Sequence, residues 1–244
     1  MVGRADQPIW LRPESLPAGR PAERSRAEVT SAAIALADRD GLEAVTMRRV
    51  AASLGTGPAS LYRYVAARDE LVDLMVDAVA AEYDLAPPGD DWLADLVEFA
   101  RQTRTIMRRH PWLAPLVTGQ PGIGPNGLDL VEHVLAVLAD HPAAVGVKLQ
   151  TFAMLNGIVA LFVQAELAGA RQRGGRSTEQ WQQAQAAYLR HVAAQGRHPR
   201  LAEAIARGST GATAEEDPFD LIVSRTMAGI LGPATPAPSA DAGR

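Results

Sequence analysis

The sequence predicts an all-α protein. Apolar residues recur at helical spacing from Val29 to Leu231. No run of alternating β-branched or aromatic residues marks a strand. Capping residues stand where the periodic stretches begin and end. At 244 residues, 47% of them apolar, the chain can build one large domain or two small ones around a sizeable core.

Residues 1–24 contain four prolines and no helical period, so they read as an irregular arm. The first helix opens on Ser25 and Glu28, spaced as a capping box, and Gly41 suits its left-handed stop. Val29, Ala33, Leu36 and Ala37 form its apolar face. Thr46 is an N-cap for a second helix of two turns, with Val50, Ala51 and Leu54 inward and Gly55 at its end. Gly57 and Pro58 open a third, with proline at the first helical position, where its missing N–H costs nothing. Two helices joined by about three residues including glycine form a helix-turn-helix, whose second member can enter a major groove. Residues 25–68 make up this unit.

At 100° per residue, Leu61 and Val65 share the core-facing side of the third helix, Ala59 and Arg63 lie opposite, and Ser60 and Tyr62 flank them. Tyr64 falls at the border. Small Ala59 lets the helix sit deep, Arg63 can fork onto guanine O6 and N7, and the hydroxyls of Ser60 and Tyr62 can bond phosphates or base edges. The same pattern also fits a small helical subdomain in which Tyr62 and Tyr64 are half-buried and Arg63 is solvated.

Leu71, Leu74, Met75, Ala78 and Val79 continue as a fourth helix leading from this unit into the rest of the chain. Further helices are expected over 91–110, 125–140, 143–170, 178–195 and 218–231, giving a helical body over 69–231 and a flexible tail over 232–244. The long helix is apolar nearly all round, with Phe152, Leu155, Ile158, Val159, Phe162 and Val163. It must be buried on several sides, one against its own body and another against a second chain, or all of them within a monomer core.

Composition narrows the function. With no cysteine there is no disulfide, thiolate metal site or cysteine nucleophile. The apolar run from Phe152 to Val163 is short of the roughly 20 residues that span a bilayer. No export signal is seen at the N-terminus, so a cytoplasmic protein without a membrane partner is expected. Residues 1–68 carry 10 arginines against 7 acids, net +3, and the remaining 14 basic and 21 acidic residues give −7. A basic head on an acidic body suits phosphate contact at one end. The five histidines show no metal-ligand spacing, so neither metal nor cofactor is expected. No nucleophile-elbow, phosphate-loop or dinucleotide motif is present, which argues against an enzyme.

The stretch AIALADRDGLEAVTMRRVAASLGTGPASLYRYVAARDELVDLM, residues 33–75, resembles the DNA-binding domain of the TetR family of bacterial repressors. The resemblance runs through Gly41, Thr46, Gly55, Leu61, Tyr62 and Arg68. It implies phosphate contacts from Thr46, Tyr62 and Arg68, and base or groove contacts from Arg48, Pro58, Ala59, Arg63 and Tyr64. Arg63 stands where the family often has an aromatic residue, which implies a different operator preference. RRHPWLAPLVTGQPGIGPNGLDLVEHVLAVL, residues 108–138, resembles the ligand-sensing domain of the tetracycline-repressor branch. It departs at Val117, which stands at or near the magnesium-binding histidine of that branch, so a metal-tetracycline effector is not implied.

The resemblance implies a ligand-responsive transcriptional regulator, a repressor, that binds a near-palindromic operator in double-stranded DNA as a homodimer and is released by a small-molecule effector. It implies a dimer interface of four helices with Val163, Leu167, Phe219, Leu221, Ile222 and Met227 as contacts. An effector cavity between helices would be mostly apolar with a few polar groups, and Phe99, Met107, Trp112, Leu116, Asn126, Phe152 and Asn156 are the candidates. The arginines of the arm, Arg4, Arg12, Arg20 and Arg24, can add phosphate or minor-groove contacts. An α-helical enzyme using the same cavity and a helix-turn-helix adaptor for protein partners are the alternatives.

Overall fold

The computed structural model describes residues 7–12, 24–119, 122–172, 177–211 and 218–232. Among these the chain forms ten α-helices and no strand: α1 (Arg26–Asp40), α2 (Met47–Ser53), α3 (Pro58–Leu61), α4 (Arg68–Ala80), α5 (Trp92–Arg109), α6 (Pro125–Val137), α7 (Val145–Gln172), α8 (Thr178–Ala194), α9 (Pro199–Gly211) and α10 (Pro218–Leu231). Arg4, Arg20 and all of the tail beyond Gly232 lie outside the described residues.

The helix ends follow from their capping residues. At Ser25 the box closes both ways: the Glu28 amide donates to the Ser25 hydroxyl at 3.1 Å, and the Ser25 amide to the Glu28 carboxylate at 2.7 Å. Gly41 ends α1 at φ 83°, a conformation costly for any other residue. The Thr46 hydroxyl accepts from the Arg49 amide at 3.3 Å and starts α2. α3 is a single turn followed by a 3-10-type bend, in which the Tyr64 amide donates to the Leu61 carbonyl at 2.9 Å. The sequence reading passes over α9. Pro199 opens it, and its partly buried Ala202 recurs toward Ile205 at helical spacing, but Gly196 (φ 70°) just before makes the segment look like a break.

α1, α2, α3 and the first half of α4 enclose the head core, where Val29, Ala33, Val45, Val50, Ala51, Leu61, Leu71 and Met75 have no exposed surface. α5 packs on α6, α7 and α10, enclosing Leu96, Ala100, Leu155, Val159, Val163, Phe219 and Met227. Each of the valine, leucine, methionine and phenylalanine side chains among these contributes about 1.5–3 kcal/mol by leaving water. By length and composition α7 could cross a bilayer; here its buried positions pack against α5, α6 and α10 instead.

Ion pairs fasten this layer. Glu166 of α7 accepts from Arg104 at 2.6 Å and Arg108 at 2.7 Å of α5, and the Arg108 bond above all holds its carboxyl below the usual carboxylate range. The Arg104 guanidinium also lies 4.3 Å above the Phe219 ring. Arg101 of α5 grips Asp220 of α10 at 2.6 Å. Lys148, the one lysine in the sequence, donates to the carbonyl of Leu138, which caps α6, and to that of Ala139 at 3.2 Å.

Candidate nucleic-acid interface and effector region

The candidate DNA-facing surface is built by α2 and α3. Leu61 and Val65 are buried at 0% and 1% exposure, while Pro58, Ala59, Tyr62 and Arg63 are exposed on the other side. Thr46 and Arg48, at the start of α2, are exposed on the same head. Ser60 is half-buried; its hydroxyl meets the Gly57 carbonyl at 2.6 Å and the Thr56 hydroxyl at 2.7 Å, bracing the turn. Beside this face Asp40 bridges Arg39 and Arg49, and the Arg39 hydrogen bond first, then Arg49, lowers its pKa.

Four expected DNA contacts are engaged within the chain itself. Tyr64 is only 8% exposed and belongs to the head core. The chain leaves the α-helix after Leu61, and in a 3-10-type bend residues three apart eclipse, so Tyr64 swings onto the Leu61 side. Arg68 points inward: Nε donates to the Val45 carbonyl at 2.7 Å and Nη2 to the Leu42 carbonyl at 2.9 Å. It thus ties α4 to the segment before α2 instead of presenting its guanidinium to a phosphate. In the arm, Arg12 pairs with Glu70 at 2.5 Å and Arg24 donates to the Leu54 carbonyl at 2.8 Å, so both are engaged within the head.

The seven effector candidates separate into groups. Phe99, Phe152 and Asn156 come together: the two rings lie 6.2 Å apart, and Asn156, one turn beyond Phe152, donates to the Phe152 carbonyl at 2.9 Å. Met107, at 2% exposure, lies two turns along α5 from Phe99, and Leu116 is partly buried against the core. Trp112 and Asn126 direct their polar groups elsewhere. The Trp112 indole donates to Asp38 of α1 at 2.6 Å, at the joint between head and body. Asn126 donates to the Asp77 carboxylate of α4 at 2.9 Å and to its carbonyl at 3.1 Å.

Sequence reasoning missed two aromatic members of this region. Tyr83 stacks on Phe99 at 5.0 Å and His133 lies 6.1 Å from it on the α6 side. The Tyr83 hydroxyl donates to Thr103 at 3.1 Å, and burial pushes its pKa up to about 12. Tyr83 lies just past α4, outside any periodic pattern, and a lone histidine on a helix carries no signal of its own. The result is an aromatic wall of Tyr83, Phe99, His133 and Phe152 with the Thr103 and Asn156 polar groups nearby.

The expected dimer contacts divide by helix phase. Val163, Phe219 and Met227 are fully buried within this one chain, Phe219 edge-on to Phe162 at 5.2 Å, and are corrected to core residues. Leu167 is partly buried against that core. Leu221 and Ile222 are exposed at 38% and 43%, and Met154 and Leu161 of α7 at 51% and 69%. Apolar residues all round a helix do not reveal which side its own body takes, so only the structure separates the two faces.

The sequence profile of bacterial regulatory proteins of the tetR family matches residues 29–75, and that of the tetracyclin repressor-like C-terminal domain matches residues 86–232. The chain is 39% identical over 178 residues to the HTH-type transcriptional repressor DrrR1 of Streptomyces coeruleorubidus, covering 71% of this chain and 66% of that one. It is 37% identical over 132 residues to an HTH-type transcriptional regulator of Saccharopolyspora erythraea, covering 54% and 56%. The match thus spans just under two thirds of the first relative's length and about half of the second's. Each is named as a transcriptional regulator and not as an enzyme. Among solved structures, apo ActR from Streptomyces coelicolor superposes with a TM-score of 0.67 at 27% identity, covering 88% of this chain and 97% of that one. ActR in complex with actinorhodin gives 0.69 at 27% identity over 85% and 97%. The two profiles together cover both the head and the body, and the chain belongs to the TetR family of bacterial regulatory proteins.

Proposed function

We propose that the chain is a ligand-responsive transcriptional repressor that binds a near-palindromic operator as a homodimer and is released by a small-molecule effector. The single observation that carries this reading is the exposed face of Pro58, Ala59, Tyr62 and Arg63 over buried Leu61 and Val65. Thr46, Arg48, Tyr62 and Arg63 position and read the duplex, with Ser60 bracing the turn and Arg68 holding α4 against the head. Two such heads in a dimer reach successive major grooves about 34–36 Å apart.

The dimer forms through the exposed apolar face of α7 and α10, where Met154, Leu161, Leu221 and Ile222 are without cover in the single chain. The effector lies against the aromatic wall of Tyr83, Phe99, His133 and Phe152, which suits a flat unsaturated guest. ActR, to which the chain is similar, has been solved with actinorhodin and with (S)-DNPA, and this supports a small organic effector here. An effector that favours a dimer with the wrong head separation shifts the population away from the DNA-competent form. The protein acts in the cytoplasm, where its operator is.

A random-sequence duplex selection with the full chain tests this. Enrichment of a palindrome with half-sites about one helical turn apart is expected. Absence of any enriched sequence at low ionic strength contradicts the reading, and turnover of a bound small molecule unaffected by Tyr62→Ala favours an enzyme instead.

A further inference from the structure

Part of the N-terminal arm is docked, and neither DNA contact nor effector binding accounts for it. Residues Ile9–Leu11 form a 3-10 turn with Ile9 buried at 3% exposure. Arg26 of α1 donates to the carbonyls of Ile9 at 3.3 Å and Arg12 at 2.8 Å. On the other side the Arg12 side chain, itself 9% exposed, pairs with Glu70 of α4. Burial alone would raise the Glu70 pKa, but the Arg12 and Ala66 hydrogen bonds outweigh it and leave it lowered. The turn is therefore held between α1 and α4.

Trp10 extends this contact to the body. Gly124, the residue before α6, is enclosed: a Cβ there would fall 2.7 Å from the Trp10 ring and 2.4 Å from the Asp77 carboxyl carbon, closer than side chains approach. Asp77 and Asp73, one turn apart on α4, hold the same entrance. Asp77 accepts from the Gly127 amide at 3.0 Å and from Asn126, so it caps α6 from another helix, and Asp73 accepts from the Gly122 amide at 2.8 Å. The entrance of α6 is thus bonded to α4 underneath and covered by Trp10 above.

We propose that residues 9–12 are an intramolecular strap that locks the entrance of α6 onto α4 and so fixes the reading head relative to the body. Arg26 and Glu70 anchor the strap, and Trp10 is its contact with the moving part. Removing the ring leaves Gly124 open on one side, and the loop can lift from Asp73 and Asp77. The head then samples more orientations, and ordering it again on DNA costs affinity.

Amide hydrogen exchange on the full chain, without DNA or effector, reads the lock directly. Trp10→Ala is expected to speed exchange by roughly tenfold or more at Gly122, Gly124 and Gly127 and along 68–77 as one unit. Arg12→Ala, which removes the anchor and leaves the ring, is expected to give the same pattern, so a poorly folded Trp10 variant does not end the test. Faster exchange confined to residues 9–12 overturns the proposal.

A second arm rests on the DNA-binding reading above. With a selected duplex, Arg12→Ala is expected to weaken binding about five- to tenfold. The slope of log K against log salt should stay the same, because no phosphate contact is lost. A slope reduced by about one makes Arg12 a phosphate contact and overturns the strap. If no duplex binds at all, the functional reading fails while the exchange result still decides the strap.

Discussion

The Trp112 indole N–H donates to the Asp38 carboxylate at 2.6 Å, and the same oxygen lies 2.7 Å from Nδ1 of His110. Asp38 belongs to α1 in the head; His110 and Trp112 lie just past α5 in the body. The other nitrogen of His110 meets Glu82, beyond the end of α4, at 3.1 Å, and Arg109 pairs with the same Glu82 at 2.6 Å. Head, α4 end and body thus share one polar joint, in which His110 and Trp112 are buried and Asp38, Glu82 and Arg109 reach the surface.

Trp112→Phe keeps an aromatic ring, though a smaller one than the indole, and removes one donor from Asp38. Denaturant unfolding should show a loss of about 1–3 kcal/mol, the range for a bond to a charged group. Asp38→Ala in the same background should then cost less than it does alone, since the two act on one network. Full additivity would show that the joint is not a unit.

In the proposed reading Arg63 contacts bases, whereas the Arg68 guanidinium ties α4 to the segment before α2. Arg63→Ala should relax preference at one operator base position by roughly 1–3 kcal/mol in competition binding against single-base variants. Arg68→Ala should lower head stability and weaken all sequences alike without reducing the salt slope, because its guanidinium holds carbonyls of Val45 and Leu42.

Much of this head was legible in the sequence, because its signals are local. Ser25 with Glu28, Gly41, Thr46 and Pro58 each determine the chain within a few residues of themselves, and the Leu61–Val65 side of α3 follows from the helical period. Tyr64 was misread because that period stops at Leu61. Arg68 was misread because nothing local announces the Val45 and Leu42 carbonyls more than twenty residues away. The body was legible as helices but not as a site. Val163 and Leu161 look alike in a uniformly apolar α7, and only packing against α10 and α5 separates core from surface. The partners of Trp112, Asn126 and Trp10 come from distant segments, which no local pattern encodes.

Tyr83 gives the aromatic wall a measurable pH signature. Its folded pKa of about 12 lies above the ordinary tyrosine value of about 10, so the unfolded chain loses this proton first. The stability it contributes is intact below pH 10 and is lost as pH rises through 12, amounting to about 2–3 kcal/mol over the interval. Tyr83→Phe gives up the Thr103 hydrogen bond at every pH, but its stability should fall less steeply between pH 10 and 12. Equal slopes would mean the hydroxyl is not buried.

Leu161 stands 69% exposed on α7 in the single chain. Leu161→Glu places a charge in the proposed partner face and should shift sedimentation from dimer to monomer, while thermal unfolding of the monomer changes little. Val163→Glu, on the opposite side of α7 in the chain's own core, should instead prevent folding. A dimer that persists in Leu161→Glu would move the interface elsewhere.

The central claim, that the outer face of α2 and α3 meets a duplex, is tested most directly by mapping amide exchange on the full chain with and without a selected duplex. Slowed exchange at residues 46–49 and 57–63, with α8 and α9 unchanged, is the expected result. Tight binding that leaves those two segments unprotected would contradict it.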